Sequence, residues 1–231
     1  MIAVTFALPA ESSEFLKHLR SKSRTGRNGI RTIQGNIDDR EIEVLHTGVG
    51  EKVCRERVEK FLEDQQFEFL ISAGFAGALN DQLHPGDFLL ARNVSTLDLT
   101  ERQSFPSLPI HRADLLTMPA LIDSSDERSE IARSTGAAAV DMETEFIARA
   151  CAEHGIPLLS LRVITDTPRE LFPAPPKILF DIERQRTHLL KLASFLLAHP
   201  NRLPRLVQFA RRIAHVRKTL ADALVQVVRN L

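Results

Sequence analysis

Three short apolar runs, Ile2–Leu8, Phe67–Ala73 and Pro157–Thr165, constrain this chain more than any other feature. Each is continuous rather than alternating, rich in β-branched and aromatic residues, and bounded by turn formers, which reads as a buried strand. Acids follow where such strands give way to loops or helix starts: Glu11 after the first, Glu143 after Ala137–Val140, and Asp166 after the last. In an open α/β sheet ligands collect outside the carboxyl ends of the strands, so carboxylates delivered there share one cleft. This arrangement predicts an enzyme using acid/base chemistry on a polar organic substrate.

The remaining pattern fits an α/β domain. Pro9 suits the first turn of a helix carrying Phe15, Leu16 and Leu19. Ile30–Ile37 and Glu41–Thr47, split by Asp38-Asp39-Arg40, read as a hairpin. Gly48-Val49-Gly50 precedes a helix over Glu51–Gln65, and the turn Gly74-Phe75-Ala76-Gly77 closes the Phe67–Ala73 strand. Asp87–Val94 and Leu116–Ile122 are further strand candidates, with Ser95–Pro119 mainly loop. Helices are expected over Asp126–Ser134, Asp141–His154, Lys177–His199 and Leu203–Val228.

Composition excludes several classes. Thirty basic residues balance thirty acidic ones, so no overall field favours nucleic acid. Cys54 and Cys151 are too few for a disulfide framework and point to a reducing, cytoplasmic setting. The start lacks the basic-then-apolar order of a signal peptide, and no run approaches the roughly 20 apolar residues of a membrane span. Neither glycine turn completes a dinucleotide or phosphate-loop pattern, and metal-ligand spacings such as H-E-x-x-H and C-x-x-C are absent, so no cofactor or metal is expected.

Taken singly, each acid has a structural explanation. Glu11 and Glu143 fall in the first turns of predicted helices, where a carboxylate offsets the macrodipole by roughly 0.3–1 kcal/mol. Asp166 suits a cap or turn. Arg162 shifts the balance, because an arginine inside the apolar Leu158–Ile164 stretch is costly to bury without a carboxylate partner. Its partner is expected among the acids at neighbouring strand ends.

Five segments occur in the order seen in the nucleoside phosphorylase superfamily: Ala7–Glu11, Thr47–Gly50, Ser72–Gly77, Val140–Glu143 and Arg162–Asp166. Within it the chain resembles the methylthioadenosine/S-adenosylhomocysteine nucleosidases and, more narrowly, the hopanoid-associated phosphorylases, or adenosylhopane nucleosidases. The resemblance implies a phosphorylase/hydrolase-like, three-layer α/β/α fold around a mixed, partly barrel-like sheet. It implies that Glu11 activates the attacking water, Glu143 after Met142 binds the ribose hydroxyls, and Asp166, held by Thr165, protonates the purine at N7. Arg162 would lie near the nucleophile, and Gly74 and Phe75 beside the ribose, Phe75 replacing a small polar residue of many relatives. Asp166 is then expected to be a buried carboxyl with a raised pKa.

The function so implied is cleavage of the N-glycosidic bond of an adenine nucleoside with a modified 5′ group. Hydrolysis is expected because the phosphate loop of the hexameric phosphorylases is replaced by Ala7–Glu11. Phosphorolysis and a non-catalytic nucleoside- or lipid-binding protein are the alternatives. The expected partners are a small-molecule nucleoside and a second copy of the chain. The catalytic domain is expected over 1–199, with a basic amphipathic extension over 200–231 that packs on protein or lies against a membrane surface.

Overall fold

The computed structural model describes residues 1–97, 110–170, 172–175, 178, 185 and 189–230. Ten strands form one mixed sheet. They are β1 (Ile2–Phe6), β2 (Arg20–Arg27), β3 (Ile30–Ile37), β4 (Arg40–His46), β5 (Leu70–Ala78), β6 (Phe88–Ala91), β7 (Ile110–Ala113), β8 (Leu115–Thr117), β9 (Ala139–Asp141) and β10 (Leu158–Asp166). The helices are α1 (Pro9–Ser12), α2 (Phe15–His18), α3 (Glu51–Leu62), α4 (Ser125–Thr135), α5 (Thr144–Glu153), α6 (Leu189–Ala198) and α7 (Leu203–Asn230).

The spine is the order β2-β3-β4-β1-β5-β10-β6-β7. β1, β4, β5 and β10 run parallel, and β1, β5 and β10 carry the three apolar runs. Every residue of β1 and β10 is buried, as expected for strands covered on both faces. One layer of core joins Val4, Phe6, Ile71, Leu159 and Leu161 to α2 and the second half of α7. The opposite layer joins Ala3, Leu70 and Leu158 to Val58 and Phe61 of α3 and to Ile147 and Cys151 of α5. The result is the expected three-layer α/β/α arrangement.

β5 forks. Along one edge it pairs with β10 from Leu70 to Gly77. Along the other it pairs with β1 over Leu70–Ser72 and then with β9 over Gly77–Ala78, and β9 in turn holds β8. Ala73–Ala76 therefore have no strand partner on that second edge, and the gap between β1 and β9 is where the loops carrying acids enter.

Several expected boundaries move. The glycine turn Gly74–Gly77 is strand, since β5 continues to Ala78 with the backbone still paired to β10. The helix expected from Pro9 to Leu19 is two short turns, α1 and α2, and is followed by the unforeseen β2. β2 reads RSKSRTGR, an exposed edge with no apolar alternation. It is fastened by Arg27, which donates to Glu43 at 3.1 Å and lies over the rings of Phe61 and Phe67. The helix expected from Asp141 starts at Thr144, and the strand near Leu116–Ile122 is Leu115–Thr117. Residues 98–109 of the expected loop, and most of the expected Lys177–His199 helix before Leu189, lie outside the described residues.

The basic C-terminal stretch is fastened to the sheet. α7 buries Val216, Leu220, Leu224, Val227 and Val228 in the same core as β1, β5 and β10, while Leu203 and Val207 in its first half are exposed. Its apolar stripe therefore faces inward over the second half, as the protein-packing alternative requires. Among the described residues no helix is long and apolar enough to cross a membrane.

Truncating Leu224, fully buried between α7 and the sheet, to alanine is expected to cost about 2–5 kcal/mol in urea unfolding. The same change at Leu197, which is 85% exposed, is expected to stay within about 0.5 kcal/mol.

Candidate active site

Glu11 reaches the fork because α1 begins immediately after β1. Its Oε2 accepts hydrogen bonds from the backbone amides of Ala7 (2.9 Å) and Leu8 (3.2 Å), so the chain's own turn fixes the carboxyl. Glu143, the residue preceding α5, comes from the β9 side. Its Oε1 accepts from Gly50 N at 3.1 Å, so it binds the loop after β4 instead of capping its own helix. Gly50 has φ +88°, a left-handed geometry that lets its amide face the carboxylate and that a side chain would strain.

These groups line a hollow of about 10 Å³ together with Thr5, Ser72, Gly74, Phe75 and Arg162. That volume holds about one water molecule. Thr5 Oγ1, buried in the hollow's wall, makes no hydrogen bond to the protein. The loop above is held by Gln185, whose side-chain amide accepts from Val49 N and donates to Val49 O, both at 2.7 Å.

Arg162 points from the middle of β10 into this region, and its partner is Asp141 of β9. Nε donates to Asp141 Oδ2 at 3.1 Å. Nη1 donates to Ser72 O (2.7 Å) and Leu161 O (3.1 Å), and Nη2 to Ser72 Oγ (2.8 Å) and Thr144 Oγ1 (2.5 Å). All five guanidinium donors are thereby used. Asp141 also accepts from Thr117 Oγ1 at 2.9 Å and from the Thr144 hydroxyl.

Asp166 stands at an adjoining hollow of about 30 Å³, lined also by Gly77, Leu121, Ile122, Arg128, Met142 and Phe172. Thr165 Oγ1 donates to Asp166 Oδ1 at 2.7 Å, as expected. Asp166 is buried as expected, and it carries a partner that the sequence did not indicate: Arg128 Nη2 donates to Asp166 Oδ2 at 2.5 Å, both side chains being almost fully buried. Arg128 comes from α4 and is tied to Ala78 O and Ile122 O, which locks the base of that loop to β5. Gly77 makes the pair possible, since a Cβ there would lie 2.7 Å from Asp166 Oδ2.

Glu11, Glu143, Gly74, Phe75 and Arg162 thus meet at one hollow, and Asp166, Thr165 and Met142 at its neighbour. The two are bridged by the Arg162–Asp141 pair. Gly74 and Gly77, which neighbour Glu11 and Asp166, are three residues apart on β5, or roughly 10 Å, the scale of a nucleoside. Sequence reasoning missed Asp141, Arg128, Ser72 and Thr144. Asp141 was visible as a second acid two residues before Glu143, but nothing marked Arg128 as buried within a charged helix.

Both glutamates have pKa values shifted upward. Burial raises Glu11 from its ordinary 4.5 to about 7, against the backbone amides and Arg162 that pull it down. Burial, then the charges of Asp141 and Glu11, raise Glu143 to about 8. Burial thus holds both carboxyls well above their ordinary range, which poises the pair for proton exchange. Among the described residues no cluster of side chains has the makings of a metal site.

Because the folded state holds these protons more tightly than the unfolded chain, the two groups' contribution to stability is fully present below the ordinary carboxyl pKa and is lost as pH rises through 7–8. Glu11→Gln is therefore expected to flatten this decline. Relative to the parent, it should gain about 2–3 kcal/mol in urea unfolding between about pH 5 and pH 8.

Known proteins extend this geometry. The family model described as the phosphorylase superfamily matches residues 1–123 and 99–198. The 5′-methylthioadenosine/S-adenosylhomocysteine nucleosidase of Buchnera aphidicola is 24% identical over 196 residues, covering 72% of this chain and 78% of that protein. A putative nucleosidase of the same name from Borrelia burgdorferi, solved with adenine, superposes with a TM-score of 0.72 at 17% identity, covering 100% of both chains. Futalosine hydrolase of Helicobacter pylori gives a TM-score of 0.70 at 16% identity, covering 100% of this chain and 97% of that one. By its fold and by a family match that spans the strands, the glutamates and Asp166, the chain belongs to the phosphorylase superfamily.

Proposed function

We propose that this enzyme hydrolyses the N-glycosidic bond of a purine nucleoside bearing a modified 5′ group, with adenine as the base. The observation that carries water over phosphate is the state of Arg162. Among the described residues it is the only cation lining the Glu11 hollow, and each of its donors already serves Asp141, Ser72, Leu161 or Thr144. A phosphate dianion there would face two acidic side chains and, among the described residues, no free cationic donor, whereas a water molecule needs only acceptors and a hydroxyl.

In this reading Glu11 takes a proton from water as its oxygen bonds to C1′ of the ribose. The C1′–N9 bond breaks with its electrons going to the purine, N7 receives a solvent proton relayed through Asp166, and Glu11 returns the proton it took from water to solvent. Positive charge building on the ribose is stabilised by the neighbouring carboxyls, and Glu143 holds the ribose hydroxyls. Arg128 orients Asp166 and supplies a fixed positive charge against the negative charge developing on the base. Thr5 takes over the positioning of water from the small polar side chain that Phe75 replaces. The nucleosidase relatives support the reaction class. The narrower reading, adenosylhopane as substrate, rests on motif resemblance, as does a homodimer, while membrane contact through the C-terminal extension rests on its basic, amphipathic composition.

Adenine release from 5′-modified adenosines in phosphate-free buffer tests the proposal. Turnover without phosphate is expected, rising through about pH 7 as Glu11 loses its proton, and strict dependence on added phosphate would sink hydrolysis. Glu11→Gln is expected to lower kcat by about 10²–10⁴-fold. Thr5→Val, close in shape, is expected to lower kcat roughly tenfold with little change in KM. A tenfold rise in KM with kcat unchanged would make Thr5 a substrate-binding residue instead.

A further inference from the structure

A second cavity, of about 540 Å³, lies between the chain following β10 and the first half of α7. That size is within the range of small-molecule sites. Arg205, Phe209 and Arg212 recur at helical spacing along α7 and face it together, joined by Arg202 from the preceding turn. Phe172 packs edge-on against Phe209, with ring centroids 6.1 Å apart at 74°. The Arg212 guanidinium sits 5.5 Å over the Phe209 ring.

The charges here are unevenly matched. Arg169 is held outward by Asp81 at 2.8 Å, and Arg212 pairs with Glu170. Arg212 Nε is nevertheless buried with no hydrogen-bond partner. Arg202 and Arg205 make no ion pair among the described residues, and the remaining carboxylate on the wall is that of Asp123. Two forked guanidiniums at helical spacing, beside an aromatic pair, form a recognition surface for a compact anion on a flat group. Phe172 also lines the hollow of Asp166, so the cavity adjoins the candidate active site without sharing its acids.

We propose that this cavity binds a phosphomonoester carried on a planar apolar group. Arg202 and Arg205 take the phosphate, and Phe172 and Phe209 take the ring. The inference does not depend on the reaction proposed above, since Arg202, Arg205 and Phe209 lie outside the Asp166 hollow and Phe172 touches both.

Phenyl phosphate and inorganic phosphate, titrated calorimetrically into the full chain, provide the test. Saturable binding of phenyl phosphate is expected, with inorganic phosphate weaker. The double variant Arg202→Ala/Arg205→Ala, at surface positions, is expected to keep its thermal midpoint and weaken phenyl phosphate by roughly tenfold or more. Phe209→Ala is expected to reduce phenyl phosphate affinity and leave inorganic phosphate unchanged. Unaltered affinity in the double variant, or no saturable binding by the parent, overturns the proposal. Loss of phosphate binding in Arg162→Lys but not in the double variant also overturns it, placing the anion at the Glu11 hollow and favouring phosphorolysis.

Discussion

A guanidinium in the middle of a strand that is buried on both faces has to be neutralised and fully hydrogen-bonded, and Arg162 meets both conditions through residues from three other segments. Asp141 supplies the counter-charge from β9, Ser72 supplies two acceptors from β5, and Thr144 supplies a hydroxyl from the start of α5. Removing one partner of such a pair leaves an uncompensated charge in a low-dielectric interior, a loss of about 3–5 kcal/mol. The same contacts fix where β9 and α5 sit relative to β10. The placement of Glu143, two residues beyond Asp141, follows from that anchor.

The fork of β5 converts this anchor into a site. A continuous ladder along both edges would have left no room for side chains at the strand's centre. Sharing one edge between β1 and β9 exposes a few residues of backbone and lets acids from two loops approach. The enclosed position then does chemical work, because the burial that closes the gap also pushes Glu11 and Glu143 toward neutral pH.

The strands that carry the site were legible because their apolar runs have no other reading, and Arg162 was legible because it violates one of them. β2 was not, since an edge strand of charged and small residues has the composition of a loop and is held by contacts far away in sequence, such as Arg27 with Glu43. The continuation of β5 through Gly74–Gly77 was hidden for a related reason: glycines ordinarily signal a turn, and here they make room for Glu11 and Asp166. Arg128 left no local trace either. In SDERSEIARST it is one charge among many, and only the fold places that turn of α4 against Asp166. The ion pair it forms sets a buried positive charge beside Asp166 that no motif announced.

Gln185 completes the loop beside Glu143 by imitating a strand, its amide satisfying both the N–H and the C=O of Val49 from a left-handed backbone position, φ +53°. A ligand settling on that loop must either keep this bridge or exchange it, so any contact made beside Glu143 is coupled to a residue well removed in sequence. How long such a ligand lingers then depends on Gln185 as much as on the glutamates, and a change at that one side chain can tune dwell time without touching either acid.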